Sequence, residues 1–197
     1  PYSKAPALGS VPKSIFVTAM DTNPLAADPA VVIGESSEDF QDGVEIISKL
    51  TDGKTYLCKA AGVAIPTPST TKVEVKEFAG VHPAGNAGTH IHMIDPVHAK
   101  KTVWSIGYQD TIAIGKLFKT GKISNERVIA IGGPKAVNPS LVKTIVGAHL
   151  GEVTSGKVGS GEVRVVSGSV LNGRKMEGSF AYLGKFHNQI SLLEEGR

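Results

Sequence analysis

Four histidines, His82, His90, His92 and His98, fall within seventeen positions in the run GVHPAGNAGTHIHMIDPVH from Gly80 to His98. Imidazole can ligate a metal, carry a proton or donate to a carbonyl. The backbone decides which. On a strand, H-x-H sets both rings on one face, as a metal site needs. On a helix the rings of His90 and His92 point roughly 200° apart and cannot chelate together. Thr89 is a suitable N-cap and Pro96 stops a helix, so both backbones stay open. The plain alternative is histidines that cap, hydrogen-bond or pack behind a glycine-rich turn. No metal site is assigned.

Other chemical signatures are weaker. Gly80, Gly85 and Gly88 follow a strand pattern but lack the G-x-G-x-x-G spacing that cradles a pyrophosphate. The run GSVLNGRK from Gly168 to Lys175 has two glycines at phosphate-loop spacing. Arg174 stands where the essential Lys should be, and Lys175 where the magnesium-binding hydroxyl should be, so it reads as a turn after a strand. No G-x-S-x-G elbow selects a nucleophilic serine, and no catalytic residue is assigned. The single cysteine, Cys58, cannot form an internal disulfide or supply an iron–sulfur cluster, and it reads as a buried apolar residue in a reduced compartment.

The elements that must position these residues follow from apolar periodicity. Residues 14–20 (SIFVTAM) read as a buried strand, ended by Asp21-Thr22-Asn23-Pro24 and followed by a second punctuation at Asp28-Pro29. Ser36 or Ser37 caps a helix with Phe40, Val44, Ile47 and Leu50 at helical spacing, ending near Gly53. The strand Thr55–Cys58 comes next, and strand–helix–strand is the grammar of a parallel α/β unit. Residues 62–72 read as loop. Strands are expected at 73–78 and 102–106, then an amphipathic helix at 109–120 with Ile112, Ala113, Leu117 and Phe118 inward. Strands at 127–131, 162–167 and 186–193 surround at most a short helical turn at 147–153, with 139–146 leading into it, which points to a small β-grasp module.

Composition adds a boundary. Residues 1–125 hold 12 Lys and 12 acids, whereas residues 126–197 hold all four Arg and five Lys against six acids. Glycine is denser in the second part, 12 of 72 residues against 11 of 125. Two domains, 1–125 and 126–197, are expected. A net charge of +3 without clustered Lys or Arg beyond Lys100-Lys101 and Arg174-Lys175 argues against a nucleic-acid partner. Arg127, Arg164 and Arg174 are the expected docking face. No transmembrane helix and no secretory leader are read. The abrupt ends, Pro1 without a Met and Arg197, read as those of a piece of something longer.

Longer phrases carry a resemblance: FVTAMDTNPLAA (16–27), HPAG with TH (82–85, 89–90), WSIGYQD (104–110), VSGSVL (166–171), AYLGKFH (181–187) and LEEGR (193–197). Together they resemble the A subunit of the bacterial sodium-translocating NADH:quinone reductase over essentially the whole chain. The resemblance implies a Rossmann-like α/β domain, similar to the flavin subunit of respiratory complex I, followed by a soluble-ligand-binding β-grasp domain. It implies a peripheral subunit on the cytoplasmic face of the inner membrane, within a complex that couples NADH oxidation and ubiquinone reduction to sodium export. Other subunits would carry NADH, flavins and iron–sulfur. Here the opening PYSKAP has no glycine run for a flavin phosphate and the cluster cysteines are absent, so no cofactor is assigned to this chain and it is expected to be non-catalytic alone. A quinone needs an apolar slot with donors at its carbonyls; His82, His90, His92, Trp104 and Tyr108 are the candidates. The alternative is a free-standing oxidoreductase with its own flavin or nucleotide.

Overall fold

The computed structural model describes residues 5–196. Of the PYSKAP opening, Pro1 to Lys4 therefore lie outside the described residues, as does Arg197. The first unit contains β1 (Ile15–Ala19), α1 (Pro29–Gly34), α2 (Ser37–Ser48), β2 (Thr55–Ala60), β3 (Val73–Phe78), α3 (Ala87–Ile94), β4 (Trp104–Gly107) and α4 (Tyr108–Thr120). Its four strands form one parallel sheet in the order β3-β2-β1-β4. The chain steps outward from β1 to β3, then returns to place β4 on the other side of β1. The strand order thus reverses next to β1.

Alternation along the strands sorts the two faces. Ile15, Val17, Ala19 and Leu57 join Phe40, Val44, Ile47, Tyr108 and Ile112 in one buried cluster, so α2 and α4 cover that face. Phe16 and Cys58 have the opposite parity and are also fully buried. Phe78 shares the parity of Cys58 through the register Cys58↔Lys76 and Ala60↔Phe78. The His90 ring lies 4.2 Å from that of Phe78, so α3 covers the second face. The α2–α4 crossing is unusually close. A Cβ on Gly43 would stand 2.1 Å from the Thr111 carbonyl oxygen, and one on Gly115 would stand 1.8 Å from that of Asp39.

The second unit contains β5 (Glu126–Gly132), β6 (Ser140–Ile145), α5 (Leu150–Val153), β7 (Val163–Ser167), β8 (Arg174–Lys175), a 3₁₀ turn at Gly178–Phe180 and β9 (Gln189–Glu194). These five strands form a mixed sheet in the order β6-β5-β9-β7-β8. β5 and β9 run parallel; the other pairs are antiparallel. Its core gathers Ile129, Ile131, Leu150, Val165, Leu183, Ile190 and Leu192.

The two units meet along a bonded seam. The Gln109 side-chain amide donates to the Val128 carbonyl at 2.7 Å, and its oxygen accepts the Val128 N–H at 2.8 Å. A side chain thereby completes the edge of β5 beyond the reach of β9. The Gln189 amide donates to the Pro24 carbonyl at 2.8 Å, and Arg127 pairs with Asp110. Ala130 and Val128 of β5 pack into the first unit's core.

Several sequence expectations are corrected. Asp28-Pro29 opens α1 instead of marking a turn: the Asp28 carboxylate accepts the Ala30 N–H at 2.9 Å and Pro29 takes the position that needs no donor. Ser36 holds the N-cap position of α2, but no side chain caps it. Ser37 instead donates back to the Gly34 carbonyl at 3.0 Å. Leu50 is 50% exposed beyond the helix end, and Phe118 is 69% exposed, so neither joins the core. β6 forms where only a lead-in to a helical turn was expected, and the last strand begins at Gln189, not Phe186.

Candidate functional site

The H-x-H pair lies on a helix. Asn86, not Thr89, holds the N-cap position of α3, and Asp95 ends it just before Pro96. The two rings accordingly part: His90 is fully buried and His92 is exposed. His90 Nε2 lies 2.8 Å from the Ala84 carbonyl, which can only accept, so Nε2 carries the proton. Nδ1 is left buried without a partner. Burial pushes the His90 pKa below the ordinary imidazole value, despite the carbonyl bond that favours the cation. Among the described residues, no group of three or more His, Cys, Asp or Glu is arranged to hold a metal ion.

The five candidates do not line one pocket. His82 Nδ1 lies 3.2 Å from Thr22 Oγ1, and that hydroxyl oxygen accepts the Gly85 N–H at 2.9 Å. Trp104 pairs with Ile15 at the starting end of the sheet, four residues from the Ala19 end of β1, or about 13 Å. Tyr108 is 3% exposed inside the first core, where burial pushes its hydroxyl up to about 12. Cys58 is fully buried, and burial pushes its thiol up to about 12 as well, so it is inert at neutral pH.

A cleft of about 440 Å³ opens instead at the carboxyl ends of β1, β2 and β3, the edge where open parallel sheets bind ligands. Its walls are Met20 to Asn23 after β1, Leu25 to Ala30 leading into α1, Ala60, Ala61 and Val63 after β2, and Phe78 to Gly80 after β3. Alanine dominates this lining, with Asp21, Thr22, Asn23 and Asp28 as the polar groups. Two of the sequence candidates stand one layer behind it, His82 on Thr22 and His90 on Phe78. Sequence reasoning missed the cleft because its walls come from three short loops and carry no chemistry-bearing spacing. The signal available was position: the loop after the first strand of a parallel sheet.

The cleft does not suit a phosphate-bearing cofactor. In doubly wound folds the phosphate rests on the free N–H groups of the helix after β1. Here Asp28 already bonds the Ala30 N–H, and Pro29 has none to offer. Asp21 Oδ1 is taken by the Asn23 backbone and side-chain amides at 2.9 and 2.7 Å. Two carboxylates and no cation line the space.

Comparison with known proteins places these observations. The family described as NqrA second alpha/beta domain matches residues 1–123, and that described as NQRA C-terminal domain matches residues 128–178. The chain is 59% identical over 197 residues to the A subunit of the Na(+)-translocating NADH-quinone reductase of Marinomonas sp. (strain MWYL1). It is 58% identical to that of Saccharophagus degradans and 55% identical to that of Pasteurella multocida. Each alignment covers 100% of this chain and 44% of the relative. Among solved structures, a chain of an NAD+-reducing [NiFe]-hydrogenase in the H2-reduced state superposes with a TM-score of 0.64 at 13% identity. That match covers 92% of this chain and 41% of the other, and it shares the fold alone.

Proposed function

This chain belongs to the NqrA family, and from that premise we propose that it serves as a peripheral, non-catalytic part of a sodium-translocating NADH:ubiquinone reductase. It spans 44% of the length of its relatives, so the activity of the whole protein belongs to the proposal. The observation that carries it is the collinear identity of 53–59% over all 197 residues with proteins of that name. In this reading the chain sits on the cytoplasmic face of the inner membrane and divides near Asn125 into an α/β and a β-grasp domain. It leaves NADH, flavin and iron–sulfur chemistry to other subunits. No helix among the described residues is long and apolar enough to cross a membrane.

The carboxyl-edge cleft is the proposed place of quinone contact. Alanines make up most of its lining, and Thr22 and Asn23 are the neutral polar residues there that a quinone carbonyl would meet. One sample tests both halves of the reading. Purified protein is expected to show no flavin absorbance near 450 nm. Addition of a short-chain quinone is expected to shift the methyl resonance of Met20, which lines the cleft, while those of Met93 and Met176 stay in place. A stoichiometric flavin spectrum would sink the non-catalytic role in favour of a free-standing oxidoreductase. A silent Met20 would remove the quinone.

A further inference from the structure

The three arginines expected to face a partner behave differently. Arg127 is 5% exposed and paired with Asp110, and Arg164 is held by Glu195. Both are spent inside the molecule. Arg174 is exposed and has no carboxylate within ion-pair distance among the described residues. Its guanidinium instead lies 5.2 Å from the centre of the Phe180 ring. Lys185 repeats the arrangement, its Nζ 5.6 Å from the centre of the Phe186 ring, again with no carboxylate in reach among the described residues. Phe180 is 48%, Phe186 60% and Leu171 57% exposed.

These side chains stand on a fixed platform. Ser167 Oγ accepts the Gly184 N–H at 3.1 Å, so its own proton is free for His187 Nδ1, 2.8 Å away. That ties the loop carrying Lys185 and Phe186 to the end of β7, where Ser167 also pairs with Arg174. Exposed aromatic rings with unspent cations on a rigid base are the composition of an interface centre, where Arg and aromatic residues are enriched.

We propose that this face, built from Leu171, Arg174, Phe180, Lys185, Phe186 and the loop anchor His187, binds an acidic segment bearing apolar side chains on another subunit of the complex. The inference rests on the reading of the chain as part of a complex, to which it adds where the chain is held and by what chemistry. Charge complementarity selects the occupant. Residues 168–188 carry Arg174, Lys175 and Lys185 against Glu177 alone, and Lys175 is already paired with Glu195. The two remaining cations lie over ring faces with no carboxylate partner among the described residues, and Arg174 offers a fork that accepts a carboxylate bidentately. A lipid surface asks for a denser cluster, on the order of 4–8 Lys and Arg.

The test uses the full-length protein in the assembled complex, with Phe186→p-benzoylphenylalanine as a photocrosslinker. The expected product joins this chain to another subunit within an acidic stretch. The double reversal Arg174→Glu/Lys185→Glu should cut its yield at least tenfold while the melting temperature of the isolated protein holds. Crosslinking within the same chain, to lipid, or to nothing overturns the proposal, as does an unchanged yield in the reversal. Co-purification of the unsubstituted protein with the complex separates the two readings. If it fails, the assignment to a complex falls; if it succeeds without the crosslink, only this face is wrong.

Discussion

His90 and His187 are the residues whose chemistry the fold has most altered. Burial holds both below the ordinary imidazole pKa, and Arg174 adds to the effect at His187. The His187 bond to Ser167 needs an unprotonated Nδ1 to accept it, whereas His90 can donate Nε2–H to Ala84 in either charge state, so burial alone disfavours its cation. The unfolded chain therefore binds protons near pH 6.5 that the folded chain refuses. The stability these groups contribute is present above pH 6.5 and is lost as the pH falls through their folded values. Urea midpoints should drop between pH 7.5 and 5.5, a window above ordinary carboxylate titration. The drop should shrink in the double variant His90→Asn/His187→Gln. An identical pH slope in parent and variant would assign the dependence to other groups.

At the scale of elements, the α2–α4 crossing makes the sharpest demand. Glycine inside an exposed helix normally costs up to about 1 kcal/mol relative to alanine. Gly115 should show the reverse, because the added methyl would meet the Asp39 carbonyl. Gly115→Ala is expected to destabilise by about 1–3 kcal/mol, as overpacking does. Gly88→Ala, in α3 with open space around it, is expected to be neutral or slightly stabilising. Thermal melts of the two variants check the contrast, and equal signs would refute the close crossing. Continuous apolar, β-branched runs and clear helical spacing were legible in the sequence: β1, β2, β5 and β7 are runs of the first kind, and α2 buries Phe40, Val44 and Ile47 at helical spacing. α1 was not, because Asp-Pro ends a strand and caps a helix with the same atoms. β6 was hidden because its outward side chains, Leu141, Lys143 and Ile145, include two apolar residues in water and so blur the alternation. H-x-H left helix and strand open, since only tertiary packing distinguishes a buried His90 from an exposed His92. The cleft was illegible for a different reason: alanines and backbone shape it, and neither has a spacing.

For the molecule as a whole, the seam decides whether two units behave as one. Gln109 satisfies both Val128 backbone groups, Gln189 holds the Pro24 carbonyl, Arg127 meets Asp110, and the side chains of Val128 and Ala130 complete the first unit's core. Separation would exchange each of these bonds for bonds to water, at a net loss of about 0.5–1.5 kcal/mol each, and would expose apolar surface shared by both units. Neither sheet can then open without destabilising the other. Trp104 is the only tryptophan and lies in the first sheet, so its fluorescence reports that unit alone, while far-UV circular dichroism reports both. The two signals should follow one coincident unfolding curve in urea, as a two-state transition requires. In Gln109→Ala/Gln189→Ala the seam loses the amide bonds to Val128 and Pro24, and the curves should separate. Distinct midpoints already in the parent protein would mean that the units are stable independently. The seam would then align them for assembly without contributing to the folding of either.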